Sequence, residues 1–163
     1  MAGMPEIGSR RRLEAASASA RLAAAISPRL KPRLERLSAR LAADAPPDEL
    51  LVLSHGDFHA KQLLETGDGL AVIDFDAMCE APPAYDLASY AAHLVRGDPE
   101  DLTTAAGALD ALMEGYGERP PAIAWYLACA ILGRAPFPFR YLDDRWPERM
   151  EGMVETAEAA LAL

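Results

Sequence analysis

Cysteine, lysine and long apolar runs are what this sequence has least of. Its 163 residues include two cysteines, Cys79 and Cys129, whose spacing fits neither a metal-ligand pattern nor a disulfide framework. No apolar run nears the roughly 20 residues needed to span a bilayer, and no secretory leader pattern opens the chain. There is no internal repeat, and no low-complexity tract beyond an alanine-rich start. What remains is the composition of a cytoplasmic globular protein of one-domain size.

The net charge is −9 and unevenly spread. Residues 1–43 carry nine Lys/Arg against three Glu, whereas residues 44–163 carry seven against twenty-two Asp/Glu. Such an acidic body disfavours nucleic acid and attracts cations, though a solvated acidic surface explains the charge as well. The basic arm reads first as a solvated helix face, ahead of a nucleic-acid contact.

Residues 1–8 show no periodicity and are expected to fray. Residues 9–26 contain no breaker and read as a helix with a mostly alanine face. Ser27-Pro28 restarts the helix as cap and first turn, and Leu30, Leu34, Leu37 and Leu41 form one stripe. Pro46-Pro47 marks a linker over 44–49, followed by a short buried strand at 50–53. Residues 62–65 and 70–75 pair as a hairpin across Thr66-Gly67-Asp68-Gly69. Pro82-Pro83 precedes a helix over 84–96, and Asp98-Pro99-Glu100-Asp101 caps another running to 116. A helix over 121–133, a non-helical Ala135-Pro136-Phe137-Pro138-Phe139 and a last helix over 147–161 complete an α+β arrangement, mostly helical with a small β element.

Chemistry concentrates in residues 51–88. An apolar strand runs into His55-Gly56-Asp57-Phe58-His59-Ala60-Lys61-Gln62, the hairpin delivers Ile73-Asp74-Phe75-Asp76, and Asp86-Leu87-Ala88 follows. Carboxylates at the ends of apolar strands are costly unless a partner compensates them. One reading of the residues alone is a hydrolytic metal site. His55, Asp57 and His59 alternate, as do Asp74 and Asp76, and on strands each set would share a face. Gly56 and the loop-like Ala60-Lys61 argue against a strand there, and this reading leaves the hairpin spacing and Asp86-Leu87-Ala88 unexplained.

The three motifs, in this order and at these spacings, resemble the catalytic centre of the aminoglycoside phosphotransferase and choline kinase superfamily, small-molecule relatives of protein kinases. The family pattern is His-Gly-Asp-x-His-x-x-Asn, then Ile-Asp-Phe/Trp, then Asp-Leu-Ala. This chain departs once, with Gln62 in place of Asn, which resembles the maltokinase-like branch. The likeness extends more loosely from about Pro28 to the C-terminus. It implies a protein-kinase-like C-terminal lobe over 44–163, with residues 1–43 as helices leading into it.

By the same resemblance, Asp57 is the base that accepts the proton of a substrate hydroxyl. Gln62 and Asp74 ligate Mg²⁺ bridging the phosphates of ATP (or GTP). His55 supports the loop from below, His59 lines or braces it, Asp76 is a third acid near the metal or a solvent-facing one, and Asp86 holds the loop through backbone N–H groups. Lys61 is a candidate phosphate contact and equally an ordinary exposed lysine. The acceptor is a small molecule, a cation by the acidic body or a sugar by Gln62. Trp125, Tyr126 and Trp146 are candidate contacts to it or core aromatics. Neither nucleic acid nor membrane is implied.

The resemblance stops short of the family's N-terminal lobe. The only lysines are Lys31, before Pro32 in a helical stretch, and Lys61, and no glycine-rich strand–turn–strand precedes His55. The expectation is therefore an incomplete C-lobe, a fragment or a chain with a misplaced start, and a non-catalytic binding module is the alternative. Apolar residues near Leu51, Leu53 and the 70–73 strand are then expected to be less covered than their pattern demands.

Overall fold

The computed structural model describes residues 3–47 and 50–163. Of the linker expected over 44–49, Asp48 and Glu49 lie outside the described residues. Helix α1 (Ser9–Ile26) buries Ala16, Ala20 and Ala23, small side chains that let it lie close against its neighbours. A 3₁₀ turn, Pro28–Leu30, leads into α2 (Lys31–Ala43), where Leu30, Leu34, Leu37 and Leu41 are all buried as one stripe. Ser27 makes no side-chain cap; its backbone N–H instead closes α1 onto Ala23.

The basic residues of this 3₁₀ turn and of α2 are only partly solvated. Arg29 pairs with Glu151 at 2.9 Å, and Arg33 with Glu155 and Glu158 at 2.8 and 2.6 Å. All three acids lie on α7 (Trp146–Ala160), so part of the uneven charge is the two sides of one helix–helix contact.

The β structure is two ladders. Strand β1 (Val52–Ser54) pairs antiparallel with β4 (Cys79–Ala81), Leu53 opposite Glu80. Between them, β2 (Leu63–Thr66) and β3 (Gly69–Val72) form the hairpin, in the register Leu63↔Val72 to Thr66↔Gly69. Two expectations fail here. The apolar run at 50–53 is not a buried strand. Only one face of β1 is covered, so Ser54 turns inward while Leu53 is 64 % exposed. Of residues 1–8, expected to fray, Met1 and Ala2 lie outside the described residues, and residues 5–7 are paired. Ile7 N–H donates to Glu80 O (2.8 Å) and Glu80 N–H to Pro5 O (3.0 Å), filling the open edge of β4. The expected exposure of the hairpin does occur, with Leu70 71 % exposed and Val72, Ile73 and Phe75 open as well.

The rest is helical: α3 (Ala84–Ala92), α4 (Asp101–Tyr116), α5 (Ile123–Arg134), the short α6 (Phe137–Arg140) and α7. Helix α5 is the centre, buried from Trp125 through Leu132, with α1, α3 and α7 packed round it. Trp125 Nε1–H donates to Leu41 O at 2.8 Å and ties α5 to the end of α2. Trp125 and Tyr126 are therefore core residues, while Trp146 lies edge-on to Phe139. The expected non-helical 135–139 segment ends in α6, because Pro138 falls in the first turn, where a missing N–H costs nothing. The start of α4 is organised by Asp101 rather than Asp98. Its Oδ2 accepts from the N–H groups of Arg96, Gly97 and Asp98 at 2.6, 2.7 and 2.9 Å. Helix α3 stops at Ala92, short of Arg96, and His93 continues it as a turn.

Candidate active site

The loop after β1 is strapped to the first turn of α3. Asp86 Oδ2 accepts from His55 N–H at 2.6 Å, and Oδ1 from Gly56 N–H at 3.1 Å. Burial pushes the Asp86 carboxyl above the usual carboxylate range, while these two donors, His55 and Arg12 pull it back. Gly56 has φ +86°, and a Cβ there would stand 1.9 Å from Ala77 O. Only glycine lets the loop pass this close beneath the 3₁₀ turn Phe75–Ala77.

His55 is buried below the loop. Its Nε2–H donates to Ile73 O at 2.8 Å, and its ring sits 5.8 Å from Phe58 and 5.1 Å from Phe75. It offers nothing to a shared metal face, and positive φ at Gly56 interrupts any strand. The alternating set His55, Asp57, His59 does not form.

Above this support lies a run of polar contacts. Lys61 N–H donates to His59 Nδ1 at 3.2 Å, so the neutral ring carries its proton on Nε2, 3.7 Å from Asp57 Oδ2. Gln62 Nε2 lies 3.5 Å from that same nitrogen and donates to Asp74 Oδ2 at 3.0 Å. Four sequence-singled residues, Asp57, His59, Gln62 and Asp74, thus lie side by side. Gln62 is buried and is the only side-chain amide in the sequence, which contains no asparagine. Asp74 holds φ +66°, a left-handed conformation costing about 1 kcal/mol that Asp tolerates better than most residues. Asp76 and Lys61 are exposed and make no side-chain contact with this group.

A cleft of about 210 Å³ opens beside Asp57 between α1, α3 and α5, lined by Arg12, Ser89, His93 and Arg134 among others. His93 Nδ1–H donates to Ser89 O at 2.8 Å, leaving Nε2 as an acceptor. Burial, with Arg134 nearby, lowers the His93 pKa to about 4. Its ring lies 4.3 Å from that of His59, and Asp57, His59 and His93 bring ligand atoms within 4.8 Å of one another. A larger groove of about 630 Å³ opens on another face of α1, between α1 and α2, lined by alanines and Leu34 together with Arg21, Lys31 and Glu35, and holds none of the site residues singled out above. His93, Arg12 and Arg134 were not singled out from the sequence. His93 stands seven residues after Asp86, two helical turns on, and that spacing was the available signal.

The sequence profile described as the phosphotransferase enzyme family matches residues 2–126, starting earlier and ending sooner than the motif likeness suggests. No curated protein matches the chain. Among solved structures, the crystal structure of spectinomycin phosphotransferase APH(9)-Ia in complex with ADP and spectinomycin is similar, with a TM-score of 0.51 at 19 % identity. The match covers 89 % of this chain and 50 % of that one, so the chain spans half the length of that protein. At this identity the likeness establishes the kinase-like fold.

Proposed function

The chain belongs to the phosphotransferase enzyme family, and from that premise we propose that it carries the catalytic-loop half of a small-molecule kinase. The reaction moves the γ-phosphoryl group of ATP, or GTP, onto a hydroxyl of a small molecule in the cytoplasm. The hydroxyl oxygen bonds to the γ-phosphorus, the bond to the bridging oxygen breaks, and Asp57 takes the hydroxyl proton. His59 steers the Asp57 carboxylate, His55 and Asp86 hold the loop, and Asp76 stays in solvent.

Asp74 and Gln62 are the proposed Mg²⁺ ligands. The donor set fits a hard cation, since a carboxylate and an amide oxygen are both oxygen ligands. Gln62 turns its nitrogen to Asp74 as it stands, and rotating the amide presents the oxygen instead. When bound, Mg²⁺ supplies charge neutralisation for the phosphates. Lys31 and Lys61 are both exposed and neither is on a strand, so we assign the clamping of nucleotide to residues this chain does not contain.

The observation that carries the reading is the 3.0 Å contact of Gln62 with Asp74, side by side with the Asp57–His59 pair. The test is Mn²⁺ binding followed by water-proton relaxation. Asp74→Ala is expected to abolish it and Asp57→Ala to leave it. Equal Mn²⁺ affinity in the parent chain and Asp74→Ala would refute the ligand assignment.

A further inference from the structure

The cleft beside Asp57 holds more positive charge than its interior satisfies. Arg134, on the last turn of α5, makes no hydrogen bond or ion pair among the described residues; its guanidinium lies over the Phe137 ring at 5.0 Å, and its Nε is buried without a partner. Burial lowers its pKa, yet a guanidinium stays charged. Arg12 reaches the cleft from α1. Its Nε is likewise buried and unpartnered; its guanidinium lies over the Tyr85 ring at 4.7 Å with Asp86 nearby, and its contact to Ser89 Oγ is long at 3.4 Å. Buried donors without acceptors are costly, and two lining one cleft call for an explanation.

The other walls narrow the ligand. His93 presents a lone pair at Nε2, ready to accept from a hydroxyl. Asp57 accepts as well. Two guanidiniums, one carboxylate and a neutral imidazole leave the cleft with one net positive charge.

We propose that this cleft is an oxyanion subsite and that the acceptor is a small hydroxylated acid. Its carboxylate or phosphate rests on Arg12 and Arg134, and a hydroxyl faces His93 and Asp57. The hydroxyl half of the statement rests on the phosphotransferase reading; the oxyanion half does not. The net charge of −9 does not oppose it, because exposed charges more than about 8 Å away are largely screened at physiological salt while the guanidiniums touch the ligand. A divalent cation on Asp57, His59 and His93 is the competing occupant. The field of Arg134 already disfavours positive charge on His93 and would act on such an ion too.

The test uses the 163-residue chain without nucleotide. D-glycerate and glycerol 3-phosphate are titrated by ligand-observed NMR, with glycerol, choline and Zn²⁺ as controls. At least one acid is expected to bind, tenfold or more above glycerol and choline, and the better of the two identifies the oxyanion. Arg134→Gln is expected to weaken binding at least tenfold and Arg134→Lys less. Because either variant can misfold, phenylglyoxal labelling of the unmodified chain gives a second reading, in which the bound acid protects Arg12 and Arg134. Binding of neither acid, preference for choline or Zn²⁺, or binding that leaves both arginines unprotected overturns the subsite. Acid binding with protection, but no ADP formation once the nucleotide-clamping half is supplied, sinks the phosphotransferase reading alone. ADP formation on choline without acid binding sinks the subsite alone.

Discussion

Gln62 donates its amide to Asp74 across a hairpin that brings together residues twelve positions apart. The contact depends on side-chain length. Asparagine is one methylene shorter and would leave Asp74 without this donor. Gln62→Asn is therefore expected to fold but to need more Mg²⁺, with the half-saturating concentration shifted about tenfold, a cost near 1.4 kcal/mol. Mn²⁺ titration of both forms reads this directly. An unchanged midpoint would mean that Gln62 is not a ligand.

The loop strap makes a stability prediction. Asp86→Asn sets an amide NH₂ against one of the two backbone N–H groups that the carboxylate now satisfies. The expected loss is about 2–3 kcal/mol, the range for charge-assisted bonds. Gly56→Ala meets positive φ and the Ala77 carbonyl together, and is expected to cost about 3 kcal/mol or more. Urea midpoints at neutral pH check both. A loss below 1 kcal/mol in each would mean that the loop is not held this way.

Much of this site was legible because it is local. Residues 55–62 and 73–76 carry their spacing in the sequence, and the hairpin register follows from Gly67 to Gly69. The cleft was not legible, since Arg12, His93 and Arg134 come from three helices and meet only when α1 and α3 pack on α5. The edge formed by Pro5–Ile7 was hidden for the same reason: nothing near Glu6 announces the open side of β4. The buried strand expected at 50–53 failed because a run of apolar residues does not say whether one face or both will be covered.

His93 makes stability depend on pH. Its pKa falls from 6.5 to about 4 on folding, so between those values the unfolded chain binds the proton and the folded chain does not. Its contribution is fully present above pH 6.5 and is lost as pH falls toward 4. Asp86 acts in the opposite sense. Its pKa is raised on folding, so its contribution improves as pH falls through the raised value toward the ordinary one of 3.8. His93→Gln should isolate the first effect. Urea midpoints at pH 7 and pH 4.5 are expected to differ more in the parent chain than in the variant, and an equal difference would mean that His93 titrates normally.

The last prediction concerns the chain by itself: it should not turn over ATP. Phosphoryl transfer depends on charge placed around the phosphates, and here the proposed Mg²⁺ site offers one carboxylate and one amide. Mg²⁺ keeps several of its waters and binds such sites weakly unless a nucleotide shares them. Leu53 on β1 and Leu70, Val72, Ile73 and Phe75 on and after the hairpin stand exposed, so concentrated samples should self-associate. ADP release is to be assayed with a panel of aminoglycosides, sugars and hydroxy acids, and sedimentation should report the association. Replacing Leu70 with Glu is expected to raise the monomer fraction. Substrate-dependent ADP release that vanishes in Asp57→Ala would overturn the prediction. It would mean that this chain, or a second copy of it, supplies the clamping charge, with Arg12 and Arg134 the first residues to test for that role.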